Sequence, residues 1–255
     1  MIVGLFGDDP LFDFLTNLDS ANFNFLHLES AKDINLSAAI VQNPEQLSLD
    51  CPILTKSEKA GRLILGTSVI PLDDSPFFLI PSSPFLVLNE LANQLNIPRD
   101  LFCAGIVWFR GASSLGKNYI EAIISESVSV LNFQQSSTVL DEQVAFNINS
   151  LSRKETNFNK IFPKCSIQQF SMPVLNGEVL IISIPSSGVA DSLNNKVNST
   201  KKSLLETLDE PEAQLVSVSS SEDLTTVTFF IDNISLEAAY VLKALSVITN
   251  LAAQS

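Results

Sequence analysis

Strands alternating with helices from the first residues, a change from two-residue to helical periodicity at Ser113-Ser114, and a strand-rich stretch from Val144 to Ile231 predict an α/β chain in two parts. The first part reads as a Rossmann-like domain with a parallel sheet and the second as an α+β domain. With 255 residues and 45% hydrophobic content, the chain can bury a sizeable core.

The elements follow in order. Met1-Ile2-Val3-Gly4-Leu5-Phe6-Gly7 is a short buried strand ending at glycine, and Leu11, Phe12, Phe14, Leu15 and Leu18 recur at helical spacing behind it. Further strands are expected over Phe23–Leu28 and Ser37–Val41, then at Arg62–Gly66 and Pro76–Ile80, each bounded by turn residues. Pro81-Ser82-Ser83-Pro84 breaks the chain before a helix carrying Leu86 to Leu95, which stops ahead of Pro98. Cys103–Phe109 is a strand, and Tyr119, Ile120, Ile123, Ile124, Val128 and Leu131 mark one face of the next helix. Strands at Val144–Ile148, Ser166–Phe170, Glu178–Ile184 and Thr225–Ile231, a helix at Lys201–Leu208 and a last helix from Leu236 to Val247 complete the pattern.

Charge and cysteine usage exclude several classes of function. Lys and Arg number 15 against 28 Asp and Glu, a net charge of −13, so no broad surface for nucleic acid or anionic membrane is expected. No charged leader precedes the first strand, and no apolar run reaches the roughly 18 residues of a membrane span. A cytoplasmic protein is the expectation. Cys51, Cys103 and Cys165 are widely spaced without a CxxC, which argues against a disulfide framework or a metal site and for buried free thiols.

Two stretches are placed where chemistry occurs. Gly4-x-x-Gly7-x-x-Pro10 sits at the first strand-to-helix turn, where glycines let a pyrophosphate approach the backbone. Asp8 and Asp9 bring negative charge there and Pro10 lacks an N–H, so the residues suit helix capping better than phosphate. The second stretch is Arg110-Gly111-Ala112-Ser113-Ser114-Leu115-Gly116-Lys117. Its small residues can present N–H groups to an anion, with Arg110 and Lys117 as candidate cations, or can simply cap a helix. Ser83 lies at a strand-to-helix turn that favours a nucleophile, though no acid–base partner is near it in sequence, and an N-cap role suits it.

Taken in order, Gly4-x-x-Gly7, the Phe109-to-Lys117 turn, Val144-Ala145-Phe146-Asn147, Met172-Pro173-Val174-x-x-Gly177 and Phe230-Ile231-Asp232-Asn233 resemble the aspartate-semialdehyde dehydrogenases, in particular the shortened, divergent Usg-type branch. The resemblance implies an NADP-binding Rossmann domain over residues 1–102, joined by a C-terminal segment, 229–255, whose helix returns to it, and a catalytic and dimerisation domain over 103–228. It implies a homodimer. It places the family's nucleophilic cysteine near Ser83, its glutamine at Arg110, its substrate-binding arginine at Ser171 and its general-base histidine at Glu178. All four are replaced. Ser30-Ala31-Lys32 falls where the family holds the NADP 2′-phosphate, so Gly4, Gly7, Ser30 and Lys32 are the cofactor-binding candidates. The sole histidine, His27, falls in the second strand, where packing is its expected role.

A covalent aldehyde dehydrogenation needs a thiolate, a base and a fixed cation acting together. Without them the expectation is a non-catalytic member with a structural or regulatory role and no cofactor. The alternative is an NADP-dependent dehydrogenase-like enzyme, or a ligand-binding enzyme with altered chemistry, using Arg110, Lys117 and Glu178.

Overall fold

Apolar β-branched runs interrupted by Gly and Pro give short strands, and the longer runs at helical spacing give the helices that cover them. The computed structural model describes residues 1–18, 20, 22–28, 36–44, 49, 51–134, 140, 142–152, 156–185, 189–194, 197 and 203–254. The chain forms two compact units, residues 1–82 with 237–255 and residues 83–236.

In the first unit, β1 (Ile2–Phe6), α1 (Pro10–Asn17), β2 (Asn24–His27), β3 (Ala38–Val41), β4 (Ile53–Thr55), β5 (Arg62–Leu65), β6 (Ser68–Pro71) and β7 (Phe78–Leu79) build a seven-stranded sheet in the order β2-β1-β3-β4-β7-β5-β6. Every pairing is parallel except β5 with β6. Strands β3 and β4 are buried along their whole length, as expected of strands inside a parallel sheet covered on both faces. The last helix, α7 (Asn233–Gln254), returns to this unit, and the Tyr240 hydroxyl donates to the carbonyls of Ile64 and Leu79. Its Asn233–Leu251 stretch has the length and mean hydropathy, 1.3, of a membrane-crossing helix, which the sequence reading did not anticipate because Glu237 and Lys243 interrupt the apolar run. Here Ala238, Val241, Ala244, Leu245 and Ile248 are buried in the protein.

The second unit contains α2 (Ser83–Gln94), β8 (Ala104–Arg110), α3 (Ala112–Leu115), α4 (Lys117–Leu131), β9 (Asn149–Leu151), α5 (Thr156–Ile161), β10 (Cys165–Ser171), β11 (Glu178–Ile184), α6 (Val189–Asn194), β12 (Gln214–Ser220) and β13 (Thr225–Ile231). Its six-stranded sheet runs β12-β13-β11-β8-β10-β9, parallel only between β8 and β10. The sequence-drawn boundary at 102/103 and the compact units' boundary at 82/83 differ by the placement of α2. Phe85 on that helix stacks edge-on against Phe158 and Phe162 of the second unit, at 6.5 and 5.5 Å between ring centroids.

Two expected elements and the expected burial of the cysteines turn out otherwise. Val144–Ile148 is a turn, with Phe146 at φ 62°, rather than a strand. The buried Glu126 of α4 explains it, because one carboxylate oxygen accepts from both Val144 N and Ala145 N, at 2.7 and 3.0 Å, and so takes the donors a strand would give its neighbour. The helix expected over Lys201–Leu208 is a 3-10 turn, Leu204–Thr207, started by a Ser203–Glu206 capping box, and Lys201 lies outside the described residues. None of the cysteines is fully buried: Cys103 is exposed, and Cys51 and Cys165 are intermediate.

Candidate functional site

In the first unit the polar residues gather where β1 and β3 end. Because β1 has β2 on one side and β3 on the other, the crevice outside their carboxyl ends is the topological switch point of the sheet, the usual place for a ligand in a doubly wound fold. Gly7 leaves β1 at φ 131°, and a Cβ there would lie 2.6 Å from the Gln42 amide oxygen, so only glycine lets Gln42 close over the turn. That same oxygen accepts from Asp8 N at 3.2 Å. Asp9 caps α1, accepting from Leu11 N at 3.0 Å, and Pro10 at the first helical position offers no N–H.

The Asp9 carboxylate is held in turn by Lys56. The ammonium lies 2.9 Å from Asp9 and 2.6 Å from Glu237 of α7, and the Glu237 side chain is 8% exposed. Burial is the largest single influence on Lys56 and acts to lower its pKa. Glu237 and Asp9 together outweigh it and hold the ammonium above its ordinary value. The negative charge at this helix N-terminus is therefore supplied by the chain itself. His27 is exposed, and its Nε2 donates to Gly7 O at 2.6 Å, tying β2 to the turn instead of packing in the core. Gly4 lies within β1, where a Cβ would meet Leu36 and Phe6 at 2.8 Å, so it serves packing. Ser30 and Lys32 lie outside the described residues.

In the second unit, strand register aligns three of the four candidate residues, Ser171, Arg110 and Glu178. Ser171 pairs with Arg110 across β10 and β8, and Arg110 pairs with Glu178 across β8 and β11, so the three stand side by side in one row. The alternation that buries Ala104, Ile106 and Trp108 of β8 also buries Arg110, and the same period on β11 buries Glu178. The guanidinium donates from Nη1 to Gln169 Oε1 at 3.1 Å, from Nη2 to Ser114 O at 2.6 Å and from Nε to Ser114 Oγ at 3.2 Å, and it sits 4.1 Å from the Trp108 ring centroid. Glu178 is completely buried, and neither of its carboxylate oxygens has a hydrogen-bond partner; the Ser171 hydroxyl has none either.

The turn after Arg110 is closed by its own chain. Gly111 N, Ala112 N and Ser113 N donate to the carbonyls of Gly177, Val174 and Leu175 at 3.1, 2.9 and 2.9 Å, so these N–H groups are not directed at an anion. Lys117, the first residue of α4, is exposed while Arg110 is buried, and the two candidate cations do not converge on one ligand position. Ser83 is the first residue of α2 and is buried, but its hydroxyl has no hydrogen-bond partner, so it neither caps the helix nor meets a base within hydrogen-bond reach. Among the described residues no cluster of His, Cys, Asp and Glu could hold a metal.

Sequence reasoning missed Gln42, Lys56, Gln169 and Glu237. Lys56 meets Asp9 from 47 residues away and Gln169 meets Arg110 from 59, so no local signal announces either contact.

No protein-family model matches the chain, and no curated protein matches it significantly. Solved structures do match. A probable aspartate-semialdehyde dehydrogenase from Pseudomonas aeruginosa aligns over 98% of this chain and 98% of its own, with a TM-score of 0.72 and 14% identity. Aspartate semialdehyde dehydrogenase II from Vibrio cholerae aligns over 99% of this chain and 98% of its own, with a TM-score of 0.71 at 10% identity. Its complex with ASA covers 96% of this chain and 98% of its own, with a TM-score of 0.71 at 11% identity. The chain thus has the fold of the aspartate-semialdehyde dehydrogenases, a Rossmann-like domain followed by an α+β domain.

Proposed function

We propose that this chain is a non-catalytic, cytoplasmic protein of the aspartate-semialdehyde dehydrogenase fold, from the divergent Usg-type branch that its motif order resembles, with a structural or regulatory role. The observation that carries this reading is the Asp9 carboxylate, held by Lys56, at the N-terminus of α1. A dinucleotide's pyrophosphate needs free N–H donors and positive potential at that place. Here Asp8 N is bonded to Gln42, Leu11 N is bonded to Asp9, Pro10 has no donor, and the Asp9 carboxylate caps the helix end. The second unit supports the same conclusion, since a serine hydroxyl without a base is not a nucleophile at neutral pH and no thiol stands at Ser83.

Calorimetric titration of the whole chain with NADPH and NADP tests this reading. No saturable binding in the micromolar range is expected, and no turnover of aspartate semialdehyde with phosphate. Micromolar NADPH binding, or a turnover abolished by Ser83→Ala, would overturn it.

One observation favours a second reading. Glu178 keeps its carboxylate oxygens free beside Arg110 and Ser171, which is what a general base requires. In that reading the protein is an NADP-dependent dehydrogenase-like enzyme, or a ligand-binding enzyme of altered chemistry, and the same titration decides between the two.

The homodimer remains part of the proposal. Ile124, Val128 and Leu131, at helical spacing on the outer side of α4, are exposed together with Phe133 just beyond it, an apolar stripe suited to a second copy. Sedimentation of the native chain and of Val128→Glu is the check: a native monomer would remove this part.

A further inference from the structure

The parallel strands of the first unit have a second end, opposite Gly7 and Gln42. At their amino ends they frame a groove of about 660 Å³, within the size range of small-ligand pockets, roughly 300–1,000 Å³. Ile53 opens β4, Phe78 opens β7, and Val69 on β6 and Ile248 on α7 form the sides. The register places these residues together, because Phe78 pairs with Leu54 on one side and with Arg62 on the other. Val69 is 36% exposed and Leu251, at the rim, is 44% exposed.

Arg62 is the charged side chain among the described residues that line the groove. Its guanidinium lies over the Phe78 ring, 5.8 Å from the centroid, and it forms no ion pair with any described acid although the chain carries 28 Asp and Glu. An apolar trough with one unneutralised guanidinium at its strand-end wall matches a molecule that is apolar along its length and anionic at one end. A nucleotide fits poorly, since its several phosphates would face a single cation and its polar sugar an apolar wall.

We propose that this groove binds a single-chain amphiphile of the fatty-acid class, with the alkyl chain along Ile53, Phe77 and Ile248 and the carboxylate on Arg62. It is remote from the switch-point crevice and independent of whether a nucleotide binds there. Binding is non-covalent, and chain length and head-group charge set its affinity.

The test is a calorimetric series on the full chain with octanoate, decanoate and dodecanoate, each below its micelle concentration. Each methylene buried is expected to tighten binding about fourfold. Arg62→Gln should weaken dodecanoate about tenfold, the loss of one charge-assisted pair. Dodecyltrimethylammonium should bind more weakly than dodecanoate. Hydrogen–deuterium exchange on the native chain should show protection at residues 51–54, 76–79 and 245–251, which keeps the proposal falsifiable even where a groove-filling variant such as Ile248→Trp fails to fold. Affinity that does not depend on chain length, protection elsewhere, equal binding of the cationic amphiphile, or binding to phosphatidylglycerol vesicles without binding to monomeric dodecanoate would each overturn it.

Discussion

Arg110 and Glu178 stand opposite one another in register across β8 and β11, both buried, and yet the guanidinium turns to Gln169, Ser114 and the Trp108 ring while the carboxylate accepts no hydrogen bond. Directly opposed side chains lie close enough to pair, so the arrangement distinguishes a positioned cation from a carboxylate left without a hydrogen bond. Arg110→Met is expected to cost about 2–4 kcal/mol, since it removes the hydrogen bonds to Gln169, to the Ser114 carbonyl and to the Ser114 hydroxyl. Glu178→Gln should change stability by less than about 1 kcal/mol, because no hydrogen bond is lost. Urea denaturation of both variants measures the difference, and a double-mutant cycle with a coupling near zero is the expected result. Strong coupling would mean the two residues act as an ion pair.

Lys56 bridges two carboxylates, and removing it breaks the ion pair with the buried Glu237. Lys56→Met is expected to destabilise by about 2–3 kcal/mol, reduced from the full cost of an uncompensated buried charge because the lysine side chain is 32% exposed. Asp9→Ala removes a helix cap and should cost about 1 kcal/mol. The order of the two denaturation midpoints is the readout. If Asp9→Ala, which removes the cap and one arm of the bridge, proved the costlier change, the Lys56–Glu237 pair would not be the dominant interaction at this corner of the sheet.

Stability should fall on the alkaline side of pH 9. Burial pushes the Cys165 thiol from its ordinary 9.0 up to about 11, and it pushes the Tyr240 hydroxyl above its ordinary 10.0 despite the bond to Ile64. Glu237 and Asp9 hold Lys56 above 10.5 against the effect of burial. In each case the folded protein retains a proton that the unfolded chain releases. The unfolded state then binds fewer protons, and folding stability falls as pH rises, beginning near 9.0 with the thiol and steepening beyond 10.0 and 10.5. Tyr240→Phe should lower stability at neutral pH by about 1–2 kcal/mol, through two lost hydrogen bonds, and flatten the decline above pH 10. A melting series against pH tests both parts, and a curve unchanged in slope would remove tyrosine from the explanation.

Two glycines at opposite ends of β8 give opposite expectations. A Cβ on Gly111 would lie 2.5 Å from Gly177 O, a backbone atom that cannot move aside, and it would break the Gly111 N bond to the same carbonyl. Gly111→Ala is expected to destabilise by about 2–3 kcal/mol. Gly105, exposed within β8, has open space where a Cβ would stand, and Gly105→Ala should be neutral or stabilise by about 0.5–1 kcal/mol. Thermal melts of the pair provide the comparison.

Much of the framework was legible because it rests on local pattern. Glu178–Ile184 and Thr225–Ile231 carry apolar residues at every second position and become β11 and β13 with the same limits. The edge strand β12 escaped notice, since Gln214-Leu215-Val216-Ser217-Val218-Ser219-Ser220 is half polar and bulged at Leu215/Ser217. At the candidate site, motif order singled out Arg110, Ser171 and Glu178 one by one, but their alignment in one row depends on the pairing of β10, β8 and β11, which no single segment encodes. The turn at Phe146 shows the reverse case: a strand-like sequence was overruled by one buried carboxylate, Glu126, more than a dozen residues earlier.

The first unit is assembled from two separated lengths of chain, residues 1–82 and 237–255, with the whole second unit between them. During synthesis all seven strands of the first sheet emerge within residues 1–82, but the buried helix residues Val241, Ala244, Leu245 and Ile248 come last, after residues 83–236 have supplied every element of the second unit. The second unit can therefore complete itself before the first gains its last helix. A ribosome-stalled chain ending before residue 237 would then resist protease across residues 83–236 and be cut within residues 1–82. The order of maturation would then run against the order of the sequence.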